Sequence, residues 1–104
     1  MAAPDLDALN QLVQYCFAIS GSDAFDDDVR DAFLQQGEAL RDRLEVATAE
    51  EWQAADGQLD ALNAQVRAAV EAVKDEQTVE QRFAQTIAQV TKIVTVVGQI
   101  VKAV

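Results

Sequence analysis

The fold of this chain is decided by residues 48–74, which read TAEEWQAADGQLDALNAQVRAAVEAVK. Thr48 and Glu51 have the spacing of a capping box, in which the hydroxyl and the carboxylate each accept a free amide N–H at the helix start. An α-helix brings residues at alternating steps of three and four onto one coiled-coil-like seam. Apolar side chains recur here at those steps: Trp52, Ala55, Leu59, Leu62, Val66, Ala69 and Val73. We therefore predict a helix over residues 49–74.

A second capping-box pattern, Thr78-Val-Glu-Gln81, opens the next apolar stripe. The stripe consists of Val79, Phe83, Ile87, Val90, Val94, Val97, Val101 and Val104. It predicts a helix over residues 79–103. Only a short polar segment separates this helix from the preceding one of similar length, so the two are expected to form a long antiparallel hairpin.

Two helices are predicted in the first half of the chain. Pro4 and the aspartates after it are typical of a helix N-terminus, and Gly21 is typical of a helix end, which predicts a helix over residues 4–20. The serine and aspartates at residues 22–28 then predict a second helix over residues 24–47. Gly37 lies within the apolar stripe of that helix, where it permits a close helix approach or a mild bend.

Four amphipathic helices with short connections predict an all-α fold, an antiparallel up-down-up-down four-helix bundle with a long C-terminal helical hairpin. A length of 104 residues fits a single domain over residues 1–104. In an alternative arrangement the hairpin is kept, and the first two helices swing outward to pack against another copy of the chain. The sequence leaves both arrangements open.

The charge of the chain limits its partners. A formal net charge of −10 disfavours nucleic acid and anionic membranes, because both repel such a surface before contact. A basic partner fits better. The N-terminus lacks the pattern of a signal peptide, and a single cysteine, Cys16, suits a reducing compartment, which together predict a cytoplasmic protein.

Catalytic and metal-binding patterns are missing from the sequence. There is no histidine, which removes the commonest general base and the usual activator of a nucleophile. Cys16 lies on an apolar stripe and is expected to be a core residue. The aspartates between Asp23 and Asp31 do not follow the alternating spacing of a calcium loop and instead suit a helix start. We predict no cofactor, no metal and no enzymatic activity.

Two helices carry more apolar surface than one packing stripe needs. In the last helix the extra seam consists of Ile93, Val96 and Ile100, and in the first helix it consists of Leu12, Tyr15 and Ile19. In an up-down-up-down bundle the first and last helices are neighbours, so the two seams could bury each other within one chain. Alternatively, they form the interface of a homo-oligomer or receive a helix of another protein. A third interpretation makes residues 83–104 a membrane-active or lipid-surface helix.

These observations predict a non-enzymatic helical module for protein–protein interaction or self-assembly, of an adaptor, chaperone or inhibitor type. Its expected partner is another protein or a second copy of the chain, and its expected interface is the pair of extra seams. The membrane-active interpretation is the alternative.

Overall fold

The computed structural model describes residues 3–101 of the protein. Within that range the chain forms no strand and six helices: α1 (Leu6–Ser20), α2 (Asp27–Val46), α3 (Ala49–Ala54), α4 (Asp56–Val73), α5 (Glu76–Gln81) and α6 (Phe83–Ile100). The predicted all-helical class is confirmed.

The helix starts depend on short polar side chains that accept otherwise unpaired amide N–H groups. The predicted capping box is present at α3, where Thr48 accepts from the Glu51 N–H and the Glu51 carboxylate accepts from the Thr48 N–H. Asp5 caps α1 in the same way by accepting from the Ala8 N–H at 3.0 Å. Helix α1 therefore begins at Leu6, two residues after the predicted start at Pro4.

The predicted start of the second helix was three residues early. Helix α2 begins at Asp27, because Phe25 inserts its ring into the core and residues 21–26 remain a turn. Ser22 stabilises that turn by accepting the Ala24 N–H through its hydroxyl.

The two long helices of the predicted hairpin are each divided in two. The helix over residues 49–74 breaks at Ala55, whose φ of −97° and ψ of 12° leave helical geometry just before the weak helix formers Asp56 and Gly57. The helix over residues 79–103 breaks at Arg82, with φ −129° and ψ 38°. It ends at Ile100, and the predicted continuation over residues 102–103 lies outside the described residues.

The second predicted capping box does not form. Asp75 lies three residues before Thr78 and accepts the Gln77 N–H through its carboxylate at 3.0 Å, so α5 begins at Glu76. Thr78 consequently lies inside the helix rather than at its start.

The helices pack in an order that differs from the predicted one. Helix α1 packs mainly against α2 and α4, and α6 packs mainly against the same two helices. The first and last helices make at most marginal contact, although the predicted up-down-up-down order makes them neighbours. Each has two packing partners, which explains why each needs a wide apolar arc. Helix α3 carries the chain from the end of α2 to the start of α4.

One core lies between these helices. Its fully buried members come from every long helix and include Leu9, Phe33, Leu59, Val66 and Val97. Gly37 allows α1 and α2 to approach closely, since a Cβ at this position would lie 3.0 Å from the Cβ of Cys16.

Candidate partner-binding surface

The six residues predicted as an interface do not form one surface. Four of them, Leu12, Ile19, Ile93 and Ile100, are buried within the chain. Tyr15 and Val96 are half-buried and pack against the core. Because α1 and α6 make at most marginal contact, the two seams do not cover each other. The burial of these four residues favours the interpretation in which the seams are covered within one chain. The helices that cover them are α2 and α4, however, and the two seams do not bury each other. Partner contact through Tyr15 and Val96 stays a prediction.

Cys16 is a core residue in this structure. Its side chain is buried, and desolvation by burial raises the pKa of the thiol to about 12. A thiol with that pKa carries almost no thiolate at neutral pH, so Cys16 is a poor nucleophile as long as the protein is folded.

The aspartate cluster at the start of α2 is organised around one arginine. Arg30 lies 3.9 Å from Asp23 and 3.7 Å from Asp27 through its Nη1, and its Nε donates to the Ser20 carbonyl at 3.1 Å. Both carboxylates are exposed, so these ion pairs contribute little to stability. Across residues 3–101, no group of three or more Cys, Asp or Glu side chains could hold a metal ion.

A polar clasp joins the start of α1 to α4. The side chain of Asn63, which is only 8 % exposed, accepts the Asp5 N–H at 2.8 Å and donates to the Ala3 carbonyl at 2.7 Å. Arg67 lies one turn further along α4 and donates to the Asp5 carboxylate through Nε and Nη2, both at 2.9 Å. Asn63 and Arg67 thus hold the residues that lead into α1 at a defined position on α4.

The clasp also changes the acidity of Asp5. The Ala8 N–H and, after it, the Arg67 guanidinium hold the pKa of the Asp5 carboxyl below its ordinary value of 3.8. The charged form is therefore favoured in the folded state.

An apolar cleft lies directly beside the clasp, between the residues that lead into α1 and helix α3. The cleft has a volume of about 440 Å³. We call it the α3 cleft, and its lining consists of Ala3, Pro4, Leu6, Ala49, Trp52, Gln53 and Asp56. The α3 positions recur at three- and four-residue steps, so they lie on one side of that helix.

One of the three exposed large hydrophobic residues lines this cleft. The large hydrophobic residues that remain exposed within residues 3–101 are Leu6 at 48 %, Val46 at 43 % and Leu34 at 38 %. Leu6 lines the cleft, and Val46 ends α2 three residues before Ala49, which also lines it. Leu34 lies further back along α2 and away from the cleft lining.

This surface was not predicted from the sequence. Helical spacing places Leu6 in line with the apolar positions of the first helix, and the predicted seam of residues 49–74 includes Trp52. Trp52 is indeed buried, but it also forms part of the cleft, and Leu6 lies above the core rather than in it. Helical periodicity contains no signal for this arrangement, because the cleft is lined by two segments that lie about fifty positions apart in the sequence.

Comparison with known proteins identifies no relative, since no family model, no curated protein and no solved structure matches this chain.

Proposed function

We propose that the chain is a non-enzymatic helical protein-binding module that binds an apolar side chain of its partner in the α3 cleft. The observation that carries this proposal is the half-exposed Leu6 above an apolar cleft, whereas four of the six seam residues are buried in the core. Exposed apolar surface of this kind is typical of interaction sites. A binding site at one end of a small helical domain suits an adaptor, chaperone or inhibitor.

The proposal includes a specific bundle topology, in which the four main helices alternate in direction but α1 neighbours α4 and α2 neighbours α6. Three contacts support it. Asp5 at the start of α1 meets Asn63 in the first half of α4. The rings of Phe33 and Phe83 lie 6.2 Å apart near the starts of α2 and α6. Further along the same two helices, a Cβ on Gly98 would lie 2.7 Å from Nε of Arg43.

Self-assembly through the predicted seams would require the fold to open. Leu12, Ile19, Ile93 and Ile100 are buried, and exposing a side chain of this size costs about 1.5–3 kcal/mol. Binding at the α3 cleft requires no such opening, which is why we favour it.

The membrane-active alternative faces the same cost. The apolar face of α6 lies in the core, so it could reach a lipid surface only after α6 had left its partners. Among the described helices, none combines the length and the apolar character that a membrane span requires.

A selection for binding peptides tests the proposed function. A library of random peptides is selected on the native protein, and enriched peptides are titrated while the fluorescence of Trp52 is followed. Trp52 is the single tryptophan and lines the cleft, so it reports on binding there. The test variant is Leu6→Asp, and the matched control is Leu34→Asp, which adds the same charge at another exposed leucine.

We expect Leu6→Asp to weaken binding by about tenfold or more, because an apolar contact is replaced by a charge. Leu34→Asp should bind like the native protein. Circular dichroism establishes that both variants are folded. Failure to enrich any peptide, or equal binding to the folded Leu6→Asp variant, would overturn the proposal.

A further inference from the structure

We infer that the partner segment bound in the α3 cleft is basic, with a large apolar side chain flanked by lysine or arginine. This inference rests on the proposed function and names the chemistry of the partner. The cleft supplies the apolar contact, and the carboxylates at its edge select the flanking charges.

Within residues 3–101, the charge of the cleft lining is negative. Asp56 is the charged residue of that lining, and no lysine or arginine of this range lines the cleft. Asp60 lies one turn further along α4 on the same side and is exposed, and Glu50 is exposed in the first turn of α3. Arg67, on α4, is paired with Asp5. A cation next to the bound apolar side chain would therefore meet carboxylates, whereas an anion would be repelled.

The same charges disfavour a second copy of this chain as the occupant. Each copy has a formal net charge of −10, so two copies repel each other on approach. A symmetric contact would also place each acidic cleft edge opposite its own equivalent, because a two-fold interface pairs the same patch on both subunits. A different, basic protein avoids both penalties.

The size of the cleft fits a short segment rather than a large ligand. Its volume of about 440 Å³ lies toward the lower end of the range of roughly 300–1,000 Å³ that is typical of binding pockets. One bulky side chain and part of its neighbour would fill it, while the flanking cations remain at the solvated edge next to Asp56 and Asp60.

Two synthetic peptides test the inference. Both are short amphipathic helices with the same leucine-containing face, and they differ only in carrying lysines or glutamates at the flanking positions. Each is titrated into the native protein with Trp52 fluorescence as the readout, at low and at high salt. The variant Asp56→Asn/Asp60→Asn removes two charges at the cleft. The control Asp28→Asn/Asp31→Asn removes two exposed charges at the start of α2, roughly 25 Å from the end of α2 that leads into α3.

We expect the lysine peptide to bind at least tenfold more tightly than the glutamate peptide, with a difference that shrinks at high salt. The Asp56→Asn/Asp60→Asn variant should lose roughly threefold to tenfold in affinity for the lysine peptide, and the distant control should lose less than twofold. Equal losses in both variants would show attraction by net charge alone and would overturn the inference. Tighter, Leu6-dependent binding of the glutamate peptide would overturn it while leaving the proposed function intact. Binding of neither peptide, together with no enrichment from the random library, would overturn both.

Discussion

Replacement of Asn63 by leucine tests the polar clasp, which holds Ala3 and the residues after it as one wall of the α3 cleft. The change keeps a side chain of similar size but removes two hydrogen bonds, of 2.8 Å to the Asp5 N–H and of 2.7 Å to the Ala3 carbonyl. Each such bond contributes about 0.5–1.5 kcal/mol net, so the upper limit of the loss is about 3 kcal/mol. The freed backbone groups lie near the start of the described chain and can turn toward water. We therefore expect a loss of about 1 kcal/mol.

Urea denaturation followed by circular dichroism measures the free energy of unfolding of Asn63→Leu. The matched control is Asn10→Leu, at an exposed position of α1, where we expect a change within about 0.5 kcal/mol. Amide hydrogen exchange provides a second readout, because release of the clasp should speed exchange of the Asp5 amide in particular. If Asn63→Leu unfolds at the same urea concentration as the native protein and the Asp5 amide keeps its protection, the clasp does not hold this wall and our account of it is wrong.

Three further predictions concern the packing and ionisation of single residues. Gly57→Ala should stabilise the protein by up to about 1 kcal/mol, because a Cβ there meets nothing within 4 Å. Gly37→Ala should be neutral or destabilising, because its Cβ would lie 3.0 Å from that of Cys16. In thermal melts, the melting temperatures of the two variants should therefore shift in different directions or by clearly different amounts. The Cys16 thiol should react with a thiol reagent at pH 8 only as fast as the fold opens, so urea should accelerate labelling steeply, and rapid labelling of the native state would contradict its burial. The pKa of Asp5 is lower in the folded state than its ordinary 3.8, so its charged form stabilises the protein above that pH. The difference in free energy of unfolding between the native protein and Asp5→Asn should therefore shrink as the pH falls through the lowered pKa. A difference that grew in acid would contradict the direction of this pKa shift.

The features that the sequence predicted correctly are local ones. The Thr48–Glu51 capping box needs only residues three positions apart, and it forms as expected. The breaks at Ala55 and Arg82 were missed because an apolar seam continues across them, so periodicity alone shows one helix where two follow each other. The second capping-box pattern failed because Asp75 offers an earlier cap, and the pattern itself does not reveal which of two caps will be used.

The binding surface could not be predicted because it depends on which helices become neighbours. The extra seams on the first and last helices were recognised as too wide for one partner, but the sequence does not show that α2 and α4 would cover both. The α3 cleft is lined by Leu6 and by Trp52, which are far apart in the sequence. The sequence pattern alone does not show that these two residues line one cleft.

Chemical-shift mapping of a complex tests the central claim most directly. A peptide selected on the native protein is added to isotope-labelled protein, and the shifts of backbone amides are followed. We predict that the largest changes cluster on the α3 cleft, at Leu6, Trp52 and Gln53, and that residues of α6 change little. Changes centred on Tyr15 and on residues 93–100 would contradict the account and would instead support an interface at the seams of α1 and α6.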